Sequence, residues 1–128
     1  MRVSVNGGPS EKLFDAKIWS LLMCARPPSQ LCVIAEPTDD QMQAVISTLD
    51  PVKGRGPELT RFAVDPLDQS GNSWFAALSP DGKRIAATSS TAGPIHIFTI
   101  HGQPLQDIKV TGWSNLSEYS WAADGKGL

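Results

Sequence analysis

Few residues in this chain have the types and spacing that catalysis requires. A nucleophile elbow reads Gly-x-Ser-x-Gly, and the closest match, at residues 112–116, ends in leucine instead of glycine. The two histidines, His96 and His101, lie in a predicted strand and in the turn after it. We interpret both as hydrogen-bonded or solvated side chains rather than as general bases. The sequence therefore predicts no catalytic residue, and we expect that the protein is not an enzyme.

Phosphate and metal sites are not predicted either. A phosphate-binding loop has a glycine five residues before its glycine–lysine pair. Neither Gly82 with Lys83 nor Gly125 with Lys126 is preceded by one, so we interpret both pairs as hairpin turns. A closed structural metal site normally needs four ligands, and the cysteines and histidines lie in different parts of the chain. No cofactor and no metal are therefore expected.

The two cysteines are candidates for a disulfide. Cys24 and Cys32 flank a turn-forming stretch at residues 26–30, with seven residues between them. Facing positions on antiparallel strands can lie within disulfide reach. The alternative is a pair of buried free thiols, which are common in protein cores. A disulfide would favour a periplasmic or other extracytoplasmic location, and free thiols would favour the cytoplasm.

One short phrase occurs twice and indicates how the chain is organised. The first copy covers residues 73–83 and the second covers residues 120–126, with an offset of 43 residues between their lysines. Both contain an Asp-Gly pair, Asp81 with Gly82 and Asp124 with Gly125. Aspartate can bond its own backbone and glycine accepts positive φ, so each pair predicts a structural turn. A repeat of about 40–45 residues is typical of one four-stranded β-propeller blade.

Eight strands are predicted from apolar and β-branched runs separated by turn-forming stretches. The first group of four comprises residues 18–25, 31–36, 44–49 and 58–64. The second group comprises residues 74–78, 83–88, 95–100 and 105–110. The 55 residues from Trp19 to Trp74 exceed the repeat length. We therefore expect an insertion in the first group, in a loop at residues 51–57.

One segment of the first group is ambiguous between helix and strand. Residues 38–41 have the form of a helix capping box, and the apolar residues between 42 and 49 fall at helical spacing. The β-branched run at residues 45–48 and the four-strand pattern favour a strand. We therefore expect a strand at residues 44–49, with Asp39 and Asp40 in the turn before it.

The predicted fold is all-β: an incomplete β-propeller of about two and a half four-stranded antiparallel blades. Residues 1–15 would be the second half of a blade, 16–66 a blade with the insertion, 70–112 a complete blade, and 117–128 the start of another. Propellers close with roughly four to eight blades. The chain is therefore expected to be a fragment that cannot close alone.

Composition limits the class of partner. With 41% hydrophobic and 19% charged residues, the chain is globular rather than disordered. The formal net charge of −2 gives no reason to expect a nucleic-acid partner. No apolar run approaches the roughly 20 residues that a membrane-spanning helix requires. No membrane insertion is therefore expected.

Three side chains remain as candidates for contact with a partner. Trp113 lies in the connection between blades, whereas the other three tryptophans occupy predicted first-strand positions that suit core packing. Lys53 and Arg55 form the one basic cluster, on a glycine-containing loop. They could bind an acidic partner or a phosphate. The alternative is that both cations are simply solvated.

The chain resembles the TolB-type, WD-repeat-like bacterial β-propellers. The resemblance is carried by residues 3–9, 78–86 and 121–126, the last two of which contain the Asp-Gly-Lys turn. Residues 50–59 are similar to the branch in which such propellers are fused to a bacterial serine/threonine kinase or a winged-helix domain. In such relatives the repeats form a sensor or interaction domain, and catalysis takes place elsewhere in the polypeptide. Nothing in this chain is similar to the kinase or DNA-binding parts.

The resemblance implies a non-catalytic module that recognises a protein or a small ligand across its blade-loop face. An alternative stays open, because propellers of this repeat type also gate prolyl-oligopeptidase-like serine peptidases, whose hydrolase domain would lie outside this chain. In both cases we expect contact with neighbouring blades of a longer chain. In isolation the 128-residue chain is expected to self-associate, because a repeat array exposes apolar sheet faces where it is cut.

Overall fold

The computed structural model describes residues 6–9, 15, 20–64, 74–89, 93–111 and 119–128. Within these ranges it contains eight strands and no helix. The first sheet consists of β1 (Leu21–Cys24), β2 (Cys32–Pro37), β3 (Gln43–Asp50) and β4 (Gly54–Ala63). The second consists of β5 (Phe75–Leu78), β6 (Arg84–Thr88), β7 (Ile95–Thr99) and β8 (Pro104–Ile108). Each sheet is an antiparallel meander in sequence order, so the predicted all-β chain with two groups of four strands is confirmed.

The ambiguous segment is a strand. β3 starts at Gln43, and the backbone N–H of Thr38 donates to the Gln43 carbonyl at 2.9 Å, which closes the β2–β3 hairpin. The carboxylate of Asp40 accepts a 3.0 Å bond from the Met42 N–H within this turn. Bonds from the Thr38 hydroxyl and the Met42 N–H hold the pKa of Asp40 below its usual value. The residues of the apparent capping box thus stabilise a hairpin turn.

The predicted loop at residues 51–57 is shorter than expected. Only residues 51–53 connect β3 to β4, and Asp50 folds this turn by accepting bonds from the Val52 and Lys53 N–H groups at 2.7 and 2.9 Å. Residues 54–57 are the start of β4. Pro57 suggested a loop, but β4 lies at the edge of its sheet, where a missing backbone donor is tolerated. The extra length of the first repeat lies partly in this long, bulged hairpin.

The two sheets pack face to face. Because side chains alternate between the faces of a strand, every second residue of the central strands points to this interface. The first sheet contributes Val33, Ala35 and Ile46, and the second contributes Ala76, Leu78, Ile85, Ala87 and Phe98. The rings of Phe62 and Phe98 meet across the interface at 5.9 Å between centroids. The first strands of the two sheets, β1 and β5, are also in contact.

The opposite face of the second sheet is covered by the segment around Tyr119 and Trp121. These rings pack on a second apolar cluster, formed by Ala86, Ile95 and Ile97. The Tyr119 hydroxyl donates to the Phe75 carbonyl at 3.1 Å, and the Trp121 indole N–H donates to the Ala77 carbonyl at 3.0 Å. The described residues therefore form three layers, in which the second sheet is the middle one.

Part of the predicted domain organisation lies outside the described residues. This applies to most of the half-blade at residues 1–15, to Trp19 and to the connection at residues 65–73. Neither sheet of the described chain is closed. The arrangement of the sheets as propeller blades stays a prediction.

Candidate functional site

The turn between β5 and β6 is the first of three that meet on one side of the molecule. Asp81 accepts the Lys83 N–H at 3.0 Å and the Ser79 hydroxyl at 2.6 Å. The bond from the Ser79 hydroxyl is the main reason that the pKa of Asp81 is below its usual value, and the bond from the Lys83 N–H adds to it. Gly82 has φ +73° and donates its N–H to the Ser79 carbonyl. The Ser79 N–H donates to the Arg84 carbonyl at 2.9 Å and closes the turn.

The turn at residues 122–127 repeats this hydrogen-bond pattern 43 positions later. Asp124 accepts the Lys126 N–H at 2.9 Å. Gly125 has φ +70° and donates its N–H to the Ala122 carbonyl at 2.9 Å. The Ala122 N–H donates to the Gly127 carbonyl at 2.7 Å. Both Asp-Gly pairs are therefore structural turns of the same kind, as the sequence predicts.

The third turn joins β1 to β2 and is cross-linked by the Cys24–Cys32 disulfide. The two cysteines are directly opposed in the strand register, with their Cα atoms 4.0 Å apart. The next pair along the hairpin is hydrogen-bonded, with the Ala25 N–H donating to the Leu31 carbonyl at 2.8 Å. The cysteines thus occupy a non-hydrogen-bonded pair, the position where opposed Cα atoms come closest. The alternative of two free thiols does not hold.

The β1–β2 turn is bonded directly to the β5–β6 turn. The Arg26 N–H donates to the Pro80 carbonyl at 2.8 Å. A Cβ placed on Gly82 would lie 2.9 Å from the Ser29 hydroxyl oxygen and 3.2 Å from the Ala25 Cβ. There is therefore no space for a side chain between the two turns. Glycine is required at this position both by its positive φ and by the close approach.

The turn at residues 122–127 is held against the second sheet in an equivalent way. The Arg84 guanidinium donates to the Gly125 carbonyl at 2.6 Å. The same guanidinium lies 4.8 Å from the centre of the Trp121 ring, within the range of a cation–π interaction. Arg84 thus links β6 to the turn and to the aromatic layer that covers this sheet.

The three turns line a groove of about 590 Å³, which we call the turn groove. Residues 26–29 form one wall, Pro80, Asp81 and Lys83 form the second, and residues 123–125 form the third. Arg26 and Lys83 are exposed, and neither is in an ion pair with another part of the described chain. The turn groove therefore combines rigid proline surfaces with two exposed cations and with the carboxylates of Asp81 and Asp124. The sequence predicts each turn, but it does not show that they meet.

The predicted contact residues lie elsewhere or outside the described chain. Lys53 is exposed on the β3–β4 turn. Arg55 forms a 2.6 Å ion pair with Glu36 and donates to the Asp15 carbonyl at 2.9 Å. Its guanidinium therefore stabilises the first sheet, and the two cations do not act as one basic cluster. Trp113 falls outside the described residues, so its exposure stays a prediction.

A second groove, of about 350 Å³, lies between the sheets and contains a pair that the sequence analysis missed. His96 and Asp107 are opposed on β7 and β8, and the His96 Nδ1 lies 2.7 Å from an Asp107 carboxylate oxygen. The ring of His96 is thus a hydrogen-bonded side chain, as expected. The β7–β8 register was the missing information, since only the paired strands bring these residues together. His101 is exposed in the turn that follows β7.

Two further classes of site are absent from the described ranges. No group of three or more His, Cys, Asp or Glu side chains there is placed to hold a metal ion. No helix in the same ranges has the length and apolarity needed to cross a membrane.

Comparison with family models, with curated proteins and with solved structures gives no match to this chain. The resemblance to TolB-type propellers therefore rests on the three sequence segments at residues 3–9, 78–86 and 121–126, and stays a prediction.

Proposed function

We propose that this chain is a non-catalytic recognition module of a TolB-type β-propeller, which binds a protein or a small ligand at the turn groove. The proposal is carried mainly by the meeting of three turns that occupy equivalent places in three successive repeats. Two of them share their hydrogen bonds at the 43-residue offset, and all three line one groove. Repeat proteins commonly form binding surfaces from such equivalent loops.

The packing of the layers supports the propeller part of the proposal. Propeller blades are four-stranded sheets arranged radially around a channel, so successive sheets pack face to face. The two meanders have that relation, and β1 and β5 are in contact. The next repeat continues the series, because Tyr119 and Trp121 bond to carbonyls of β5. Face-to-face packing of successive sheets, with the next repeat bonded to the first strand of the sheet before it, is what adjacent propeller blades would show.

The rigidity of the turn groove supports a role in recognition. Binding sites are largely pre-formed concave surfaces with a few placed polar groups. Here the turns are fixed by backbone bonds, by the Arg26–Pro80 contact and by the disulfide. A partner would therefore bind with little loss of loop entropy. Arg26 and Lys83 would orient an acidic or hydrogen-bond-accepting group against the proline surfaces.

A peptide selection tests the site. The full chain is used to select binders from a random 12-residue peptide library, and the selected peptides are titrated by fluorescence anisotropy. We expect Arg26→Glu and Lys83→Glu to weaken binding by at least tenfold. Lys109→Glu, an exposed cation away from the turn groove, is the matched control and should leave the affinity unchanged. Selection of no peptide, or of peptides that bind all three variants equally, would contradict the proposal.

The absence of catalysis is tested separately. Purified chain is assayed on a panel of chromogenic esters and peptide anilides, and we expect no turnover above buffer. Turnover that is lost with His96→Ala would contradict the proposal. Sequencing of the flanking coding region distinguishes the peptidase alternative, since that alternative requires a Gly-x-Ser-x-Gly strand–turn–helix downstream.

A further inference from the structure

The disulfide lies directly beneath one wall of the turn groove. It joins the last residue of β1 to the first residue of β2, and Arg26 in the groove wall is two residues beyond Cys24. We call residues 25–31 the hairpin tip. Within the tip, two backbone bonds hold the chain: Ala25 N–H to the Leu31 carbonyl, at 2.8 Å, and Ser29 N–H to the Arg26 carbonyl, at 3.1 Å. The covalent link is therefore a main constraint on the base of the tip.

The two cysteines of the disulfide differ in exposure. Cys24 is exposed, whereas Cys32 is half-buried. Cys24 also lines a depression of about 250 Å³, whose other walls include Arg26, Pro80 and Trp121. Cys24 is therefore the cysteine that a thiol reagent reaches more easily.

The hairpin tip is in contact with the second groove wall, so a movement of the tip changes the groove. Arg26 bonds to the Pro80 carbonyl, and Ala25 and Ser29 lie against Gly82 with no space for a Cβ. Protein interiors at such close packing do not deform continuously. A tip that shifts must break the Arg26–Pro80 bond and separate residues 26–29 from Pro80 and Asp81.

We propose that the Cys24–Cys32 disulfide is a redox switch that holds the turn groove in its binding shape. The inference rests on the proposed function for its consequence, loss of ligand affinity, but not for the structural change itself. The reductant is a dithiol. Its thiolate attacks the Cys24 sulfur, the sulfur–sulfur bond breaks, and Cys32 leaves as a thiolate that takes up a proton. The second thiol then displaces Cys24, so two electrons and two protons reach the protein and the reductant becomes a cyclic disulfide.

The switch is reversible, because thiol–disulfide exchange can also form the cross-link again. Oxidation by a small disulfide restores the cross-link, since the register keeps the two cysteines directly opposed. β1 is only four residues long and pairs on one side with β2. Loss of the cross-link therefore leaves a short edge strand to position the hairpin tip. The groove walls at residues 80–83 and 123–125 do not depend on it.

Nuclear magnetic resonance on the full 15N-labelled chain tests the switch without any ligand. Spectra are compared before and after addition of dithiothreitol, and with the Cys24→Ser/Cys32→Ser variant. We expect shifted or broadened amide signals for the hairpin tip and for residues 80–83, in both the reduced chain and the variant. The amides of β7 and β8, which lie away from the disulfide, should keep their positions. Reoxidation with glutathione disulfide should restore the original spectrum.

Two outcomes would overturn the inference. Signal changes confined to Cys24, Cys32 and their sequence neighbours would mean that the groove does not respond. Loss of dispersed signals throughout both sheets would mean that the disulfide maintains the fold and is not a switch. The two proposals can fail separately. If the signals change only in the hairpin tip and at residues 80–83, but the selected peptides bind the Arg26 and Lys83 variants as tightly as the wild type, the switch is supported and the proposed function is contradicted.

Discussion

The two sheets share a topology but are stabilised by different interactions. The second sheet has a single register shift, and apolar layers bury both of its faces. The first sheet has two register shifts between β3 and β4, a disulfide, and ion pairs from Arg55 to Glu36 and from Arg61 to Glu58. The second sheet, which contains the Ser-Pro-Asp-Gly-Lys phrase, is thus stabilised mainly by packing against the layers on its two faces. The first sheet adds a disulfide and ion pairs between its own strands.

The bulges in the first sheet account for part of this difference. Burial alone does not distinguish the sheets, since β2 of the first sheet is also buried on both faces, with Ile34 2% and Ala35 0% exposed. A unit with bulged strands has poorer ladder hydrogen bonds. A covalent link and charge-assisted bonds then limit local opening. Mutations in each sheet test this difference through the change in the free energy of unfolding.

The largest effect is expected from the buried centre of the second sheet. Ile85 is 0% exposed and lies in the cluster between the two sheets. Ile85→Ala should destabilise the chain by about 3–4 kcal/mol, because it removes transfer free energy and leaves a cavity. Urea denaturation followed by tryptophan fluorescence measures the change. Leu105→Ala, at a side chain that is 52% exposed, is the control and should cost under about 0.5 kcal/mol. If Ile85→Ala and Leu105→Ala lost the same amount of stability, Ile85 would not lie in a packed core.

The next effect belongs to the first sheet. Removal of the disulfide in Cys24→Ser/Cys32→Ser should cost roughly 2–3 kcal/mol, since the cross-link closes a short loop and restricts the unfolded chain. The urea midpoint of the wild type should fall to that of the variant when dithiothreitol is added, and the variant itself should not respond. An unchanged midpoint would mean that the first sheet does not depend on its cross-link.

The two Asp-Gly turns provide a matched pair of smaller effects. Gly82→Ala and Gly125→Ala both introduce a Cβ at positive φ, which costs about 1 kcal/mol. At Gly82 the new atom also meets Ser29 and Ala25, whereas at Gly125 the nearest atom is the Arg84 guanidinium at 3.4 Å. We expect a loss of about 2 kcal/mol for Gly82→Ala and about 1 kcal/mol for Gly125→Ala, measured by thermal denaturation. The reverse order would contradict the close contact between the first two turns.

The sequence predicts the elements of this molecule well, because the information for them is local. Runs of β-branched residues define the strands, and the uninterrupted apolar run Ile-Ala-Ala explains why β6 is buried on both faces. The Asp-Gly pairs define two turns to the level of individual hydrogen bonds. The two cysteines on either side of a turn predict the disulfide as one of two alternatives, and the strand register decides between them.

What the sequence does not predict is set by tertiary contacts. The loop at residues 51–57 looked plausible because Gly54, Gly56 and Pro57 all break regular structure, yet pairing with β3 makes these residues a strand. The turn groove and the His96–Asp107 pair depend on register and sheet packing. Arg55 looked like a surface contact because its partner Glu36 lies on a strand that is distant in sequence.

The aromatic layer over the second sheet should contribute about 1 kcal/mol through one hydrogen bond. Trp121→Phe keeps an aromatic ring but removes the 3.0 Å bond to the Ala77 carbonyl and weakens the contact with Arg84. A net hydrogen bond alone is worth about 1 kcal/mol, so the loss should be at least about that size. Urea denaturation measures the change. The control is Tyr119→Leu, which removes both a hydrogen bond and the edge contact with Phe75, and so should cost more. A neutral Trp121→Phe would mean that the third layer is only loosely attached.

The smallest effect is the acid sensitivity of the turn between β5 and β6. The pKa of Asp81 is lower in the folded chain than its ordinary value, chiefly because the Ser79 hydroxyl donates to the carboxylate. Asp81 therefore contributes stability above the unfolded pKa of about 3.9, and this contribution is lost as the pH falls through the lower folded value. Because asparagine does not take up a proton in this range, the free energy of unfolding of Asp81→Asn should fall less than that of the wild type between about pH 4 and about pH 2. Ser79→Ala is the comparison, because it removes the hydroxyl donor and keeps the Asp81 carboxylate. Its stability should also fall less than that of the wild type over this range when unfolding is followed at each pH.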